Sequence, residues 1–267
     1  MLKDITIGQF FPGNSFIHRL DPRIKIILTA VYITMLFIAK NMLALSVGVV
    51  FLIMIVLISK IPIRMIIKGL KPVVMIIIFT AVLNLLFISG GDVLIHLWVI
   101  KITTEGVRIS VFMIIRIICL IAGTSLLTYT TSPITLTDAI ERLLSPLKKV
   151  KVPVHELAMM MTIALRFIPT LIEETDKIMS AQKARGADLE SGGLMQRAKA
   201  LVPILIPLFV SAFRRAEELA LAMECRCYRG GEGRTRLKQL KTQAIDYLAV
   251  AVNFAFLGVI ITINIIL

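Results

Sequence analysis

The stretch "MLALSVGVVFLIMIVLIS", residues 42–59, decides the class of fold, because it carries no formal charge from end to end. At the α-helical rise a run of this length comes close to covering a hydrocarbon core about 30 Å thick. Outward from it, comparable apolar runs occupy about 24–40, 72–89, 107–128 and 246–267. Five spans are therefore predicted, and the fold class expected is an all-α integral membrane protein. The first two spans are joined by only a few residues around Lys40 and Asn41, which forces an antiparallel helical hairpin. Before them, Asp21 is placed to cap a helix whose first turn opens at Pro22, where a missing N–H costs nothing.

Composition agrees. With 267 residues, 57% hydrophobic and a mean hydropathy of +0.89, the chain has more apolar surface than a soluble domain tolerates. It also has 30 Lys+Arg against 17 Asp+Glu, a formal net charge of +13. Such an excess serves either nucleic acid or the cytoplasmic loops of a membrane protein, and position selects the loops. Lys3, Arg19, Arg23 and Lys25 precede the first span, and Lys60, Arg64, Lys68 and Lys71 separate the second from the third. The next connection balances Lys101 and Arg108 against Asp92 and Glu105. The positive-inside rule puts the N-terminus in the cytoplasm, residues 90–108 outside, the region 130–245 inside and the C-terminus outside. Residues 1–25 lack the order of a secretory signal and read as an exposed lead-in.

The organisation expected is thus an N-terminal membrane domain over 1–130, a cytoplasmic helical region over 131–245 and a last span over 246–267. The cytoplasmic region is unusually greasy, with "LAMMMTIALRFIPTLI" at 157–172 and "LVPILIPLFVSAF" at 201–213. Arg166, Pro169, Pro203 and Pro207 interrupt these runs, which read as long surface helices, a dip of one of them into the bilayer staying open. Each has an apolar stripe at steps of three and four. Leu157, Met161, Ala164, Ile168, Leu171, Thr175 and Ile178, with Leu165 alongside, lead through Gln182 to Arg185. Leu201, Leu205, Leu208, Ala212, Ala216, Leu219 and Met223 lead to Arg226. A shorter amphipathic helix opens with Ser132 as N-cap and Pro133 at its first position. Three helices with this much apolar surface call for a partner.

Both long helices stop at an arginine between small residues, Ala184-Arg185-Gly186 and Cys225-Arg226-Cys227. Taken singly, each is a good helix cap: an arginine beside the last carbonyls is worth roughly 0.3–1 kcal/mol, and a glycine ends the helix in the left-handed conformation. The repetition points further, since a planar five-donor fork held clear of bulky neighbours suits a carboxylate in a protein groove.

These features resemble the T component of energy-coupling factor transporters, the EcfT and CbiQ-like family of ABC-type importers of vitamins and metal ions. Five spans, a cytoplasmic insertion before the last and the paired arginine motifs carry the resemblance. "PGNSFIHRLDPRIK", "TTSP" and "YRGGEGRTRLK" at 12–25, 130–133 and 228–238 extend it over essentially the whole chain. It implies that Ala184, Arg185, Gly186 and Cys225, Arg226, Cys227 dock in grooves of two ABC ATPase subunits, which bind the ATP. It further implies that the helix faces carrying Leu157, Met161, Leu165, Ile168, Leu201, Leu205 and Leu208 hold a substrate-binding S component. The second motif departs from the Ala-Arg-Gly pattern of the family, with Cys227 where glycine is expected.

No cofactor is expected, and no metal site: Cys225 and Cys227 form only a C-x-C pair, Cys119 lies in a span, and His18, His96 and His155 are scattered. No P-loop, G-x-S-x-G or H-E-x-x-H is present, so no catalytic residue is assigned. Arg229, Arg234, Arg236, Lys238 and Lys241 read as a basic linker suited to anionic headgroups rather than to nucleic acid. Arg116 is the one charge deep in a span, with Asn84 a candidate partner for it. A self-contained permease or channel, or an integral membrane enzyme, remains the alternative class.

Overall fold

The computed structural model describes residues 10–88, 90, 92–97, 100–187, 193–230 and 240–267. Lys3, Arg234, Arg236 and Lys238 lie outside the described residues, as do the side chains of His96 and Lys101. In chain order the elements are α1 (Phe16–Arg19), α2 (Pro22–Ile38), α3 (Met42–Ser59), α4 (Ile63–Leu70), α5 (Val74–Phe87), β1 (Val93–Leu97), β2 (Ile100–Thr103), α6 (Thr104–Thr130), α7 (Pro133–Leu144), α8 (Val154–Ala184), α9 (Leu194–Cys225) and α10 (Ala244–Ile266). The chain falls into two compact units, one of residues 8–136 with 239–267 and the other centred on 137–238.

The protein is an all-α membrane protein with one small addition. The connection between the third and fourth spans folds into an antiparallel hairpin of β1 and β2, with Val93 opposite Thr103 and Leu97 opposite Ile100. Among the described residues, five helical stretches are long and apolar enough to cross a membrane: Met42–Ser59, Ile63–Phe87, Thr104–Thr130, Val154–Ala184 and Ala244–Ile266. This set differs from the five predicted spans in one member. The 17 residues of α2 sit at the short end of what can cross a bilayer, while α8 qualifies by its apolar first half. The third span also starts earlier than predicted. Pro62 precedes α4, and a 3₁₀ turn over Lys71–Val73 around Pro72 joins α4 to α5, so Arg64, Lys68 and Lys71 lie on helical turns and not in a loop. Pro72 has no N–H to give to the preceding turn, and the tighter turn absorbs that loss.

The core of the membrane unit lies where α2, α3, α6 and α10 meet. Met35 and Leu36 of α2, Ala44 and Leu45 of α3, Ala122 and Tyr129 of α6 and Ile260 of α10 are buried there. Tyr32, Phe51 and Phe256 stack in sequence, with ring centroids 5.8 and 4.8 Å apart. Gly123 makes the α2–α6 approach possible: a Cβ there would sit 2.3 Å from Cε1 of Tyr32. By contrast α5 buries only Ile77 and exposes Met75, Ile78, Phe79 and Phe87, which suits contact with lipid.

Polar side chains tie the helix ends together. At one end, Asp21 caps α2 through the Arg23 N–H (2.9 Å) and receives the Arg23 guanidinium (2.6 Å). Asp246 accepts from the Asp21 N–H (2.8 Å) and from the Gln243 N–H (2.7 Å), which caps α10. Lys25 donates to the carbonyls of Thr130 (3.1 Å) and His18 (3.3 Å) and to the Thr131 hydroxyl (3.3 Å). At the other end of α2, Asn264 of α10 donates to the Ile38 carbonyl (2.7 Å) and accepts from the Lys40 N–H (3.2 Å).

Candidate functional site

In the unit of residues 137–238, α8 and α9 form an antiparallel pair. Three contacts fix its direction: the Tyr228 hydroxyl meets the Met159 sulfur (3.1 Å), Arg215 pairs with Glu174 (2.9 Å), and Gln182 Nε2 donates to the Pro203 carbonyl (3.3 Å). As numbers rise along α8 they fall along α9. The last contact has a local cause: Pro207 has no N–H, so the carbonyl of Pro203 four residues earlier loses its helical partner, and Gln182 replaces it. His155 of α8 pairs with Glu141 of α7 (3.0 Å).

The two helix ends are alike. At the end of α8, Arg185 is the cap residue and Gly186 takes φ 84°. The Gly186 N–H donates to Lys183 (3.0 Å) and the Ala187 N–H to Gln182 (3.0 Å). At the end of α9, Arg226 is the cap residue and Cys227 takes φ 54°. The Cys227 N–H donates to Glu224 (2.8 Å) and the Tyr228 N–H to Met223 (3.1 Å). Both are Schellman closures, with a left-handed residue directly after the arginine. Cys227 thus adopts the conformation that glycine adopts in the first motif, against a steric cost of about 1 kcal/mol for a side chain in that region.

Ala184, Arg185, Gly186, Cys225, Arg226 and Cys227 are all exposed. Among the described residues neither Arg185 nor Arg226 makes a side-chain hydrogen bond or ion pair. Because the pair is antiparallel, the two arginines stand at opposite ends of it. Arg185 follows Gln182, which contacts Pro203, and the helical rise from there to Arg226 separates them by about 35 Å. What the arrangement offers is two exposed cationic forks at opposite ends of the pair, each on a helix tip closed by backbone hydrogen bonds.

The predicted apolar stripe is present but not as drawn. Leu157, Met161, Leu201 and Leu205 are exposed, while Leu165, Ile168 and Leu208 are half-buried. On α9 the more open line is shifted by one position: Val202, Ile206, Phe209 and Phe213, with Phe209 61% and Phe213 68% exposed. This line repeats at steps of four, three and four, so it was legible in the sequence, but the same steps fit two neighbouring registers. Ile204 is the one residue of α9 counted in the buried core among the described residues.

Arg116 and Asn84 are not brought together. The Arg116 guanidinium donates to the Ala39 carbonyl (2.5 Å) and stacks 4.5 Å from the centre of the Phe112 ring. Ala39 is the C-cap of α2, so the arginine lies at the negative end of that helix and takes up one of its unpaired carbonyls. Asn84 contributes its backbone carbonyl to the Ile88 N–H. Asp246, Asn253 and Asn264 were not singled out from the sequence. The signal for them is a polar residue at the edge or on the inner face of an apolar run, which is weak without knowing which face is inner.

A family model described as CbiQ, cobalt transport protein, matches residues 13–237. The chain is 58% identical over 250 residues to the energy-coupling factor transporter transmembrane protein EcfT of Clostridium kluyveri, covering 93% of each chain. It is 53% identical over 258 residues to the protein of the same name from Ruminiclostridium cellulolyticum, covering 96% of each. With that of Bacillus subtilis it shares 49% over 240 residues, 90% of this chain and 91% of the other.

Proposed function

The chain belongs to the CbiQ family as a transmembrane T component of energy-coupling factor transporters, and from that premise we propose that it couples two ABC ATPase subunits mechanically to a substrate-binding S component. In this reading Arg185 and Arg226 each seat in an acidic groove of one ATPase. When ATP draws the two subunits together, the tips follow, and α8 and α9 shift the S component so that its substrate site changes sides. The S component rests on the exposed apolar faces of α8 and α9. The cargo is a vitamin or another micronutrient, and this chain has a scaffolding role with no chemistry of its own.

One observation carries the proposal: two exposed, arginine-capped helix tips with the same closure stand about 35 Å apart at opposite ends of one antiparallel pair. A single docking partner would need only one tip. An arginine fork buried against a carboxylate typically costs roughly 2–5 kcal/mol when truncated. Purification of a tagged chain from its own membranes tests the reading. The parent is expected to bring down two ATPase subunits and a small membrane protein. Arg185→Ala or Arg226→Ala weakens ATPase recovery and nutrient uptake, and the double substitution abolishes both. Full recovery and uptake in the double variant would refute the docking role.

A further inference from the structure

The buried charges of the membrane unit are left without a role by the docking scheme. Lys25 is 5% exposed, Asp21 5% and Asp246 1%. Such a cluster is weak as a stability device, because apolar residues of similar volume usually serve as well or better. What distinguishes this one is where its hydrogen bonds land. Lys25 holds the Thr130 carbonyl and the Thr131 hydroxyl, the last turn and cap of α6, from which the chain runs into α7. Asp246 holds the Gln243 N–H, and Arg23 reaches the Leu240 carbonyl (3.4 Å), on the segment by which the chain returns to α10. Asp246 also receives the Asp21 N–H, and Asp21 in turn holds Arg23 and the first turn of α2. One cluster therefore clamps the end of α6, the segment leading into α10 and the start of α2.

Each charge also has the sign its helix end favours: a cation at the C-terminus of α6, and carboxylates at the N-termini of α2 and α10. These ends would otherwise fray within a turn, and a fraying end absorbs displacement instead of passing it on.

We propose that the cluster of Asp21, Arg23, Lys25 and Asp246 is the coupling seat of the membrane unit, through which displacement of α8 and α9 reaches α2, α6 and α10 as one body. The four are positioning residues, acting through the helix ends they hold. This rests on the reading of the chain as a coupling subunit. Loosening the seat leaves ATPase docking and ATP hydrolysis in place and severs them from uptake.

The test uses the full complex, in cells whose only copy of the chain is plasmid-borne, with a mixture of labelled riboflavin, thiamine, folate and biotin as the uptake probe. Lys25→Met is expected to keep complex yield and ATP hydrolysis within about twofold of the parent while uptake falls at least tenfold, and Lys25→Arg to recover at least half of it. Arg23 is a quarter exposed, so Arg23→Lys remains informative if Lys25→Met fails to insert; it is expected to lower uptake about threefold at unchanged hydrolysis. Uptake and hydrolysis falling in parallel, or neither falling in Arg23→Lys, would overturn the seat while leaving the docking reading intact. A parent complex that retains no ATPase or accumulates none of the four vitamins would overturn both.

Discussion

At the scale of single residues, the two arginine motifs differ where local strain is concentrated. Gly186 and Cys227 occupy equivalent positions with φ of 84° and 54°, and only the first is free of a Cβ. Cys227→Gly is therefore expected to raise the stability of the α9 end by about 1 kcal/mol, and Gly186→Val to lower that of α8 by about 1–2 kcal/mol. Thermal unfolding of the purified chain in detergent measures both. Gly123 is constrained from outside instead. Its neighbour Tyr32 is buried, stacked on Phe51 and bonded through its hydroxyl to the Cys119 carbonyl (3.3 Å), so the ring has nowhere to go. Gly123→Val is expected to separate α2 from α6 and lower the melting temperature by several degrees, with Tyr32→Ala in the same chain restoring part of the loss.

At the scale of elements, α9 makes a demand that its own unit does not meet. Val202, Ile206, Phe209 and Phe213 present a continuous apolar line, opposite the side on which Ile204 is buried and Leu208 half-buried. If this line carries the S component, Phe209→Glu and Phe213→Glu should release that subunit from the purified complex while both ATPases remain, because the arginine tips are untouched. Leu208→Glu, at a half-buried position facing the helix pair, should instead disturb α8 packing and reduce ATPase recovery as well. The same pattern of loss in all three variants would assign the face to internal packing. Gln182 deserves a role here too, since its bond to the Pro203 carbonyl lies one turn before the Arg185 cap and links the position of the tip to α9.

At the scale of the whole molecule, the orientation proposed from the basic loops puts the β1–β2 hairpin outside and the region after α6 in the cytoplasm. A cysteine at Gly90 should then react in intact cells with an impermeant maleimide, and one at Lys148, on the exposed turn between α7 and α8, should react only after permeabilisation. Labelling of Lys148→Cys in intact cells would overturn this orientation.

Four of the five apolar spans and the arginine-terminated helices were determined by the sequence alone, because they depend on composition, period and local capping chemistry within a few residues. Residues 42–59 read as a helix of the same bounds as α3, and Arg185 and Arg226 stand as the cap residues their flanks suggested. Only the tertiary structure decided which polar groups meet. Arg116 chooses the Ala39 carbonyl over Asn84, Lys25 finds Thr130, and Asp246 finds Asp21, across separations in the chain that no local pattern encodes. The choice is made by where helix ends leave carbonyls and N–H groups unpaired in a medium without water to satisfy them, and that is a property of the assembled bundle.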